Sequence, residues 1–159
     1  MSVMYCDYGR IKYELKKRKN EYIITSKEKR DGFTNYIDVL GNEHADLYMK
    51  IINDNDVDLI YEEEIFIKYR NVFFPLFAGR INKKSVIENL YMLCTDSEEL
   101  AINNTFEKKE QFLYVKYITR NEIDALKIVK TPISTFTNTG KSEEILEGPE
   151  IDSWLSELI

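Results

Sequence analysis

The sequence has very few histidines and cysteines, and this scarcity excludes several classes of site. Among 159 residues there are one histidine, His44, and two cysteines, Cys6 and Cys94. A single imidazole excludes sites built on histidine pairs, including those of two-histidine phosphodiesterases. The cysteines are far apart and form no C-x-x-C motif, which indicates reduced thiols in a cytoplasmic protein. A catalytic dyad of His44 with the thiol of Cys6 or Cys94 remains an alternative, although no nucleophile motif surrounds either cysteine.

Long apolar runs and an excess of positive charge are also missing. The longest apolar run, residues 72–78, is far shorter than the roughly 20 residues that a membrane-spanning helix needs. The N-terminal sequence has no basic segment followed by an apolar one, so we expect no signal peptide. The chain carries 22 Lys and Arg against 28 Asp and Glu, a net charge of −6. This balance argues against direct binding to nucleic-acid phosphates and to anionic membranes.

Aromatic residues are abundant, with 11 Tyr and 8 Phe. Such residues favour β-strands and fill the core of a sheet. The balance of 43% hydrophobic and 31% charged residues is typical of a globular protein,. The length predicts a single domain over residues 1–159, mainly β in 1–79 and mixed α/β in 80–159.

The most strand-like segment is residues 58–79, and we expect the other strands to pair around it. Its apolar residues recur at every second position, which predicts one buried and one wet face. The residues of the predicted buried face are Leu59, Tyr61, Ile65, Ile67 and Tyr69. Glu63 shares this face, so we expect it to meet a cation such as Lys12 or Arg10, to lie at a strand end or to contact a partner.

Alternating segments separated by polar turns predict an antiparallel meander. The predicted strands besides the central one are 8–15, 21–26, 33–40, 47–51 and 111–118. A short helix over 43–52 fits the fourth of these segments nearly as well. The Thr- and Ser-rich residues 131–142 predict a surface loop.

Helix signals are concentrated in the second half of the chain. Capping boxes at Ser85-x-x-Glu88 and Thr119-x-x-Glu122 predict helices reaching Cys94 and Val129, and residues 95–102 predict another short helix. Pro149 at a first helical position and a stripe carrying Trp154 predict a last helix over 149–158. The expected fold is α+β: an antiparallel β-meander of about five to seven strands, with two to four helices, mostly from the C-terminal half, packed on one face.

Three short segments resemble parts of known functional motifs, but none is a complete or specific match. Asp54, Asp56 and Asp58 resemble the start of a calcium loop, but the glycine and the twelfth-position glutamate that such a loop needs are replaced by Leu59 and Ile65. Residues 140–142, Gly-Lys-Ser, resemble the end of a phosphate loop, yet Thr135 stands where its first glycine belongs. The triplet at residues 14–16, Glu-x-Lys, occurs in metal nucleases and arises by chance in Lys- and Glu-rich chains. We therefore predict no metal, no cofactor and no catalytic residue.

The charge layout is more informative. Basic residues are concentrated in the first 30 positions, and acids in the middle and at the end of the chain. The predicted partner-binding residues are Asp54, Asp56, Asp58, Tyr61, Glu62 and Glu64. The leading hypothesis is a small acidic protein of bacterial or phage type that binds and occludes a basic partner protein, either a toxin or a defence enzyme. The alternatives are a metal-dependent nuclease or nucleotide-processing enzyme using Asp and Glu, and a protein that sequesters a small ligand such as a nucleotide.

Overall fold

A computed structural model describes residues 2–159, and it consists mainly of antiparallel strands. In this part of the chain there are twelve strands and three short α-helices. The strands are β1 (Val3–Tyr8), β2 (Ile11–Arg18), β3 (Glu21–Ser26), β4 (Thr34–Ile37), β5 (Glu43–Ile52), β6 (Leu59–Tyr69), β7 (Val72–Pro75), β8 (Tyr91–Thr95), β9 (Glu107–Glu110), β10 (Leu113–Ile118), β11 (Ala125–Pro132) and β12 (Ser142–Leu146). The helices are α1 (Lys83–Glu88), α2 (Glu98–Asn103) and α3 (Pro149–Ser156). The antiparallel α+β class is confirmed, and the predicted number of strands is wrong.

The chain divides into two compact units. One contains Glu63–Lys130, Ser142–Ile159 and the first residues up to Val3, and the other contains Met4–Glu62 and Thr131–Lys141. We call them the C-terminal unit and the N-terminal unit. Strand β6 supplies its first four residues to the N-terminal unit and the rest to the C-terminal unit. The predicted single domain over 1–159 stays a prediction.

In the N-terminal unit the strand order is β6-β1-β2-β3-β5-β4. The predicted strand 8–15 is correct for residues 11–15, which belong to β2, but Gly9 and Arg10 near its start form a tight turn between β1 and β2. Both residues have positive φ, 57° and 65°, as the favoured two-residue hairpin turn requires,. The core of this unit is formed by Cys6, Tyr13, Leu15, Ile24, Phe33, Ile52 and Ile60.

In the C-terminal unit the order is β12-β11-β6, with β7 also paired to β6. A separate three-stranded sheet has the order β8-β10-β9, and a single bridge between Leu76 and Leu93 joins it to the segment after β7. The core of this unit includes Ile65, Ile67, Leu93, Leu126 and Ile151, and Trp154 of α3 packs against it.

From Tyr61 to Tyr69, strand β6 has the alternation predicted for it, but at its start Ile60 of the predicted wet face is fully buried and Leu59 of the predicted buried face is half-buried. Ile65, Ile67 and Tyr69 are buried on one face, while Phe66 and Lys68 are half-buried on the other. Glu63 is buried on the first face, with only 3% of its surface exposed. It has a polar or electrostatic interaction there, as a carboxylate removed from water requires,.

Of the helices predicted to reach Cys94 and Val129, the first is shorter than predicted and is followed by a strand, and the second is replaced by a strand. Helix α1 begins after Asn82, whose side chain accepts from the Ser85 N–H, and it ends at Asn89, so Leu93 and Cys94 belong to β8. The Thr119 capping box is present, but it closes only the 3₁₀ turn Arg120–Glu122, and β11 follows. The Thr119 capping box is present as predicted, whereas Asn82 and not Ser85 caps α1. Packing of the inner face of β8 and of both faces of β11 selected extended backbone.

The predicted loop 131–142 is also only partly correct. It contains the last residues of β11, the 3₁₀ turn Ser134–Thr139 and the start of β12. Most of its side chains are exposed, as expected for a surface connection.

Arg120 joins three elements of the C-terminal unit. Its Nε and Nη2 donate to the two carboxylate oxygens of Asp152 in α3 at 2.7 and 3.1 Å, and its Nη2 also donates to the Gly148 carbonyl at 3.2 Å. Its backbone N–H donates to the Asn89 side chain at the end of α1 at 2.8 Å. This two-pronged geometry fits a guanidinium better than an ammonium group.

Ile67→Ala tests the packing of β6. Ile67 is fully buried, so the substitution is expected to lower the free energy of unfolding by about 2–5 kcal/mol. The matched change Ile102→Ala, on the exposed side of α2, should change it by less than about 0.5 kcal/mol. Urea denaturation measures both changes, provided that the m value is the same in the two variants. Equal losses of unfolding free energy in the two variants would contradict the assigned core.

Asp152→Asn tests the ion pair with Arg120. The Arg120 hydrogen bond holds the pKa of Asp152 below its ordinary value. The stabilisation is therefore present above the unfolded pKa, near 3.9, and is lost as pH falls through the lower folded value. The variant should melt at a lower temperature than wild type at pH 7, and the difference should narrow below about pH 4. Glu150→Gln, on the same helix, is the control, and its difference in melting temperature from wild type should show no such pH dependence. A difference between Asp152→Asn and wild type that stays constant down to acid pH would contradict the ion pair.

Candidate functional site

Four aspartates lie on two backbone segments of the N-terminal unit that are hydrogen-bonded to each other. They are Asp7, Asp54, Asp56 and Asp58, and we call this set the acidic corner. The 3₁₀ turn Asp54–Asp56 is closed by a hydrogen bond from the Asp56 N–H to the Asn53 carbonyl at 3.0 Å. Asp54 accepts a hydrogen bond from the Ser134 hydroxyl. The backbone that carries the carboxylates is therefore fixed.

Asp58 and Asp7 are tied together through their backbones. The Asp58 N–H donates to the Asp7 carbonyl at 2.9 Å, and the Asp7 carboxylate accepts from the Tyr61 hydroxyl at 3.2 Å. Burial, followed by the charges of Asp7 and Asp58, raises the pKa of the Cys6 thiol to about 12. The carboxylates of Asp7 and Asp58 thus both act on the Cys6 thiol, which indicates negative potential at this corner,.

The structure brings the predicted aspartates together but separates the other predicted residues from them. Tyr61 is completely buried, so its ring supports the corner from inside and is not available to a partner. Glu62 lies four strand residues beyond Asp58, about 13 Å along β6. Glu64 belongs to the C-terminal unit and already has an interaction of its own.

A second feature, which the sequence reasoning missed, is the hairpin formed by β4 and β5. Asn35 pairs with Tyr48, but the next residue, Tyr36, pairs with His44. Residues 45–47 of β5 therefore form a large bulge between these two pairs. A bulge bends the strand that carries it, and the end of the hairpin turns towards β2.

Contacts with β2 hold the hairpin in this position. Arg18 donates from Nη2 to the Tyr36 hydroxyl at 2.9 Å and from Nη1 to the Ile37 carbonyl at 2.7 Å. The Lys16 ammonium and the Arg18 guanidinium lie 5.0 and 5.4 Å from the centre of the Tyr36 ring. Cations at such distances are attracted to the ring face.

Asp38 fixes the turn at the end of the hairpin. Its Oδ1 accepts from the backbone N–H groups of Leu40 and Asn42, each at 2.9 Å, and its Oδ2 lies 3.0 Å from His44 Nε2. The His44 hydrogen bond is the main cause that lowers the pKa of Asp38. The His44 ring also meets Tyr36 edge-on, with 5.4 Å between ring centres.

This rigid turn exposes apolar side chains. Val39 and Leu40 are 80% and 83% exposed, and Ile37 is 47% exposed. We call these three residues the hairpin tip. Single exposed aliphatic residues are common on protein surfaces, whereas these three are grouped on one ordered turn and form an exposed apolar patch,.

Backbone pairing places the strand that precedes the acidic turn near β2, the strand that contacts the hairpin. Lys17 pairs with Tyr22, and Tyr22 pairs with Ile52, so these residues are neighbours across three strands. Strands are about 4.8 Å apart, which puts Ile52, just before the acidic turn, about 10 Å from β2 at Lys17. Arg18, the next residue, holds the hairpin tip.

The other candidate chemistry gains no support. In residues 2–159, no three side chains of His, Cys, Asp or Glu converge as a metal-ligand set. His44 contacts Asp38 and Tyr36 instead of a thiol. Burial raises the pKa of the Cys94 thiol as well, which disfavours a thiolate at either cysteine,.

These features define an antiparallel α+β protein with a mixed acidic and apolar surface. Residues 2–135 match the family described as Uncharacterised conserved protein UCP033725, and the chain belongs to this family. No curated protein and no solved structure matches the chain. Among the described residues, no helix is long and apolar enough to span a membrane.

Asp38→Ala tests the rigidity of the hairpin tip. Loss of the carboxylate removes the acceptor for the Leu40 and Asn42 amides, so we expect their hydrogen exchange to become faster by about tenfold, as for loss of a contact worth roughly 1–2 kcal/mol. NMR-detected exchange measures each amide separately. Asp46→Ala, in the bulge of the same hairpin, should leave both rates unchanged. Unaltered exchange in Asp38→Ala would show that the turn does not depend on this carboxylate.

Proposed function

We propose that this protein binds a basic partner protein through the hairpin tip and the acidic corner, and thereby occludes the functional surface of that partner. The partner is a toxin or a defence enzyme, so the protein acts as an immunity protein or as a phage inhibitor of a host defence system. The free thiols of Cys6 and Cys94 support a reducing setting such as a bacterial cytoplasm,.

The observation that carries the proposal is the rigid, exposed hairpin tip. Burying an aliphatic side chain contributes roughly 1.5–3 kcal/mol. Val39 and Leu40 are exposed in the free protein, so nearly all of this burial energy is available when a partner covers them. Their backbone is already ordered by Asp38 and Arg18. A pre-organised element loses little conformational entropy on binding, so most of the burial energy becomes affinity.

The acidic corner supplies the electrostatic part of the proposed interaction. Asp56 and Asp58 are exposed, and their backbone is fixed. Exposed charges of this kind contribute mainly to the association rate and to partner selection, because water screens them in the final complex. A basic partner would be drawn to the acidic corner and then held by the hairpin tip.

The experiment begins with capture of partners from a bacterial lysate by the immobilised full-length protein and by its Val39→Ser/Leu40→Ser variant. A protein retained only by wild type is then purified, and its binding kinetics are measured at two salt concentrations. The variant should weaken binding by at least about tenfold, mainly through faster dissociation. Ile102→Ser, which removes an exposed aliphatic side chain from α2, is the matched control and should bind like wild type.

Asp56→Asn tests the electrostatic part with the same purified partner. It should lower the association rate at low salt by roughly twofold to fivefold and flatten its salt dependence, with little change in dissociation. Glu157→Gln carries the same charge change at the end of α3 and should have no effect. The proposal fails if every captured protein binds the hairpin-tip variant as well as it binds wild type. It also fails if the partner keeps its full activity when it is saturated with the wild-type protein.

A second candidate function, sequestration of a small ligand, is favoured by one observation. An open depression of about 600 Å³ lies beside the bulge, lined by residues 43–47 and Lys27. This volume suits a nucleotide-sized ligand. A nucleotide panel in a thermal-shift assay tests it: a rise of several degrees that His44→Ala abolishes would favour this function over occlusion.

A further inference from the structure

The hairpin tip is attached to a paired strand through one histidine. His44 pairs with Tyr36 across β4 and β5, directly beside the bulge, so its backbone belongs to the sheet of the N-terminal unit. Its Nε2 lies 3.0 Å from Asp38 Oδ2. The other oxygen of the same carboxylate accepts from the backbone N–H groups of Leu40 and Asn42. One carboxylate therefore joins a strand residue to the turn that carries the exposed apolar side chains.

His44 is the donor in its hydrogen bond with Asp38. The bond lowers the pKa of Asp38, so this carboxyl group is ionised from mildly acidic to neutral pH and can only accept. The Nε2 atom therefore carries a hydrogen whether the ring is neutral or protonated. By holding Oδ2, His44 fixes the rotation of the carboxylate, and this orientation directs Oδ1 towards the two turn amides.

The strength of this contact depends on the charge of the ring. Histidine is the side chain that ordinarily changes charge between pH 5 and 8. A neutral ring makes a hydrogen bond to the carboxylate, whereas a protonated ring adds the attraction of opposite charges. The side chains of His44 and Asp38 are 47% and 25% exposed, so water screens part of this attraction and its effect is moderate,. The added attraction is present below the titration of the imidazole and is lost as pH rises through it.

Charged groups of both signs surround His44. The groups that favour a protonated ring are the carboxylates of the turn and of β5, which are Asp38, Glu43 and Asp46. The groups that disfavour it are Lys27, which lines the same depression, and Lys16 and Arg18 of β2, which lie against the Tyr36 ring that His44 meets edge-on. Of all these groups, Asp38 is the one hydrogen-bonded to His44, so its carboxylate is the principal partner of the ring charge.

We propose that protonation of His44 orders the hairpin tip, so that pH regulates the surface that binds the partner. With a protonated ring, the ion pair holds the carboxylate against both turn amides. With a neutral ring, the carboxylate leaves them more often and the turn opens. The consequence for binding rests on the proposed function: apparent affinity falls with the fraction of the protein whose tip is ordered, so binding is tighter in mildly acidic than in mildly alkaline solution.

Amide exchange of the free protein, measured by NMR between about pH 5.5 and about pH 8, tests the proposal without a partner. Each rate is divided by that of an unstructured peptide of the same sequence at the same pH, which removes the intrinsic effect of pH on exchange. The protection of Leu40 and Asn42 should fall by about threefold towards the higher pH, in step with the NMR signals of the single imidazole. The Phe33 amide, which donates to the Arg30 carbonyl in another turn, should keep constant protection.

His44→Gln is the decisive variant, because its side-chain amide keeps an N–H donor but takes up no proton in this range. Protection of the two turn amides should then be the same at both pH values. Asp46→Asn, which removes a neighbouring carboxylate and keeps the bond between His44 and Asp38, should retain the pH dependence of wild type. Constant protection in wild type overturns the proposal, and so does a pH dependence that persists in His44→Gln.

Affinity for the purified partner separates this proposal from the proposed function. Comparing wild type with His44→Gln at each pH cancels the titration of the partner's own groups, and the advantage of wild type should be greater at the lower pH, by up to about threefold. Turn amides that respond to pH without any change in this advantage would overturn the regulation of binding. Constant protection of the turn amides, together with a partner that Val39→Ser/Leu40→Ser fails to bind, would overturn the role of His44 and still support the proposed function.

Discussion

The structure depends on the burial of one face of β6. Along this strand, Ile65, Ile67 and Tyr69 point into the core of the C-terminal unit, whereas Ile60 joins the core of the N-terminal unit. A shift of one residue would expose this row and bury Lys68 and Glu64, so the alternation fixes the register of the strand. Each unit then builds its sheet outward from this strand by antiparallel pairing.

The candidate partner surface arises where regular pairing is interrupted. The bulge at residues 45–47 turns the hairpin towards β2, and Arg18 and Lys16 hold Tyr36 there. Asp38 then orders the turn that carries Val39 and Leu40. Because the hairpin is held by contacts with another strand, its exposed apolar residues have a defined position. The same unit presents the acidic corner, so apolar anchoring and electrostatic steering are provided within one compact unit.

The sequence by itself determined the features that depend on local pattern. The alternation along β6, the polar turn at Asp54–Asp56, the capping box of Thr119 and the start of α3 at Pro149 could all be read from nearby residues. Even the turn carrying the hairpin tip had a local signal, since Asp38 precedes Gly41 and Asn42 between two strand-like segments.

Tertiary structure decided the rest, because long-range packing selects between local conformations of similar energy. Leu126 and Val129 fit a helical stripe, yet β11 is buried on both faces and is extended,. Tyr61 seemed available to a partner by its position beside the acids, but the packing of β6 buried it. The bulge and the reach of Arg18 to Tyr36 join residues far apart in the chain, and no local pattern encodes such contacts,.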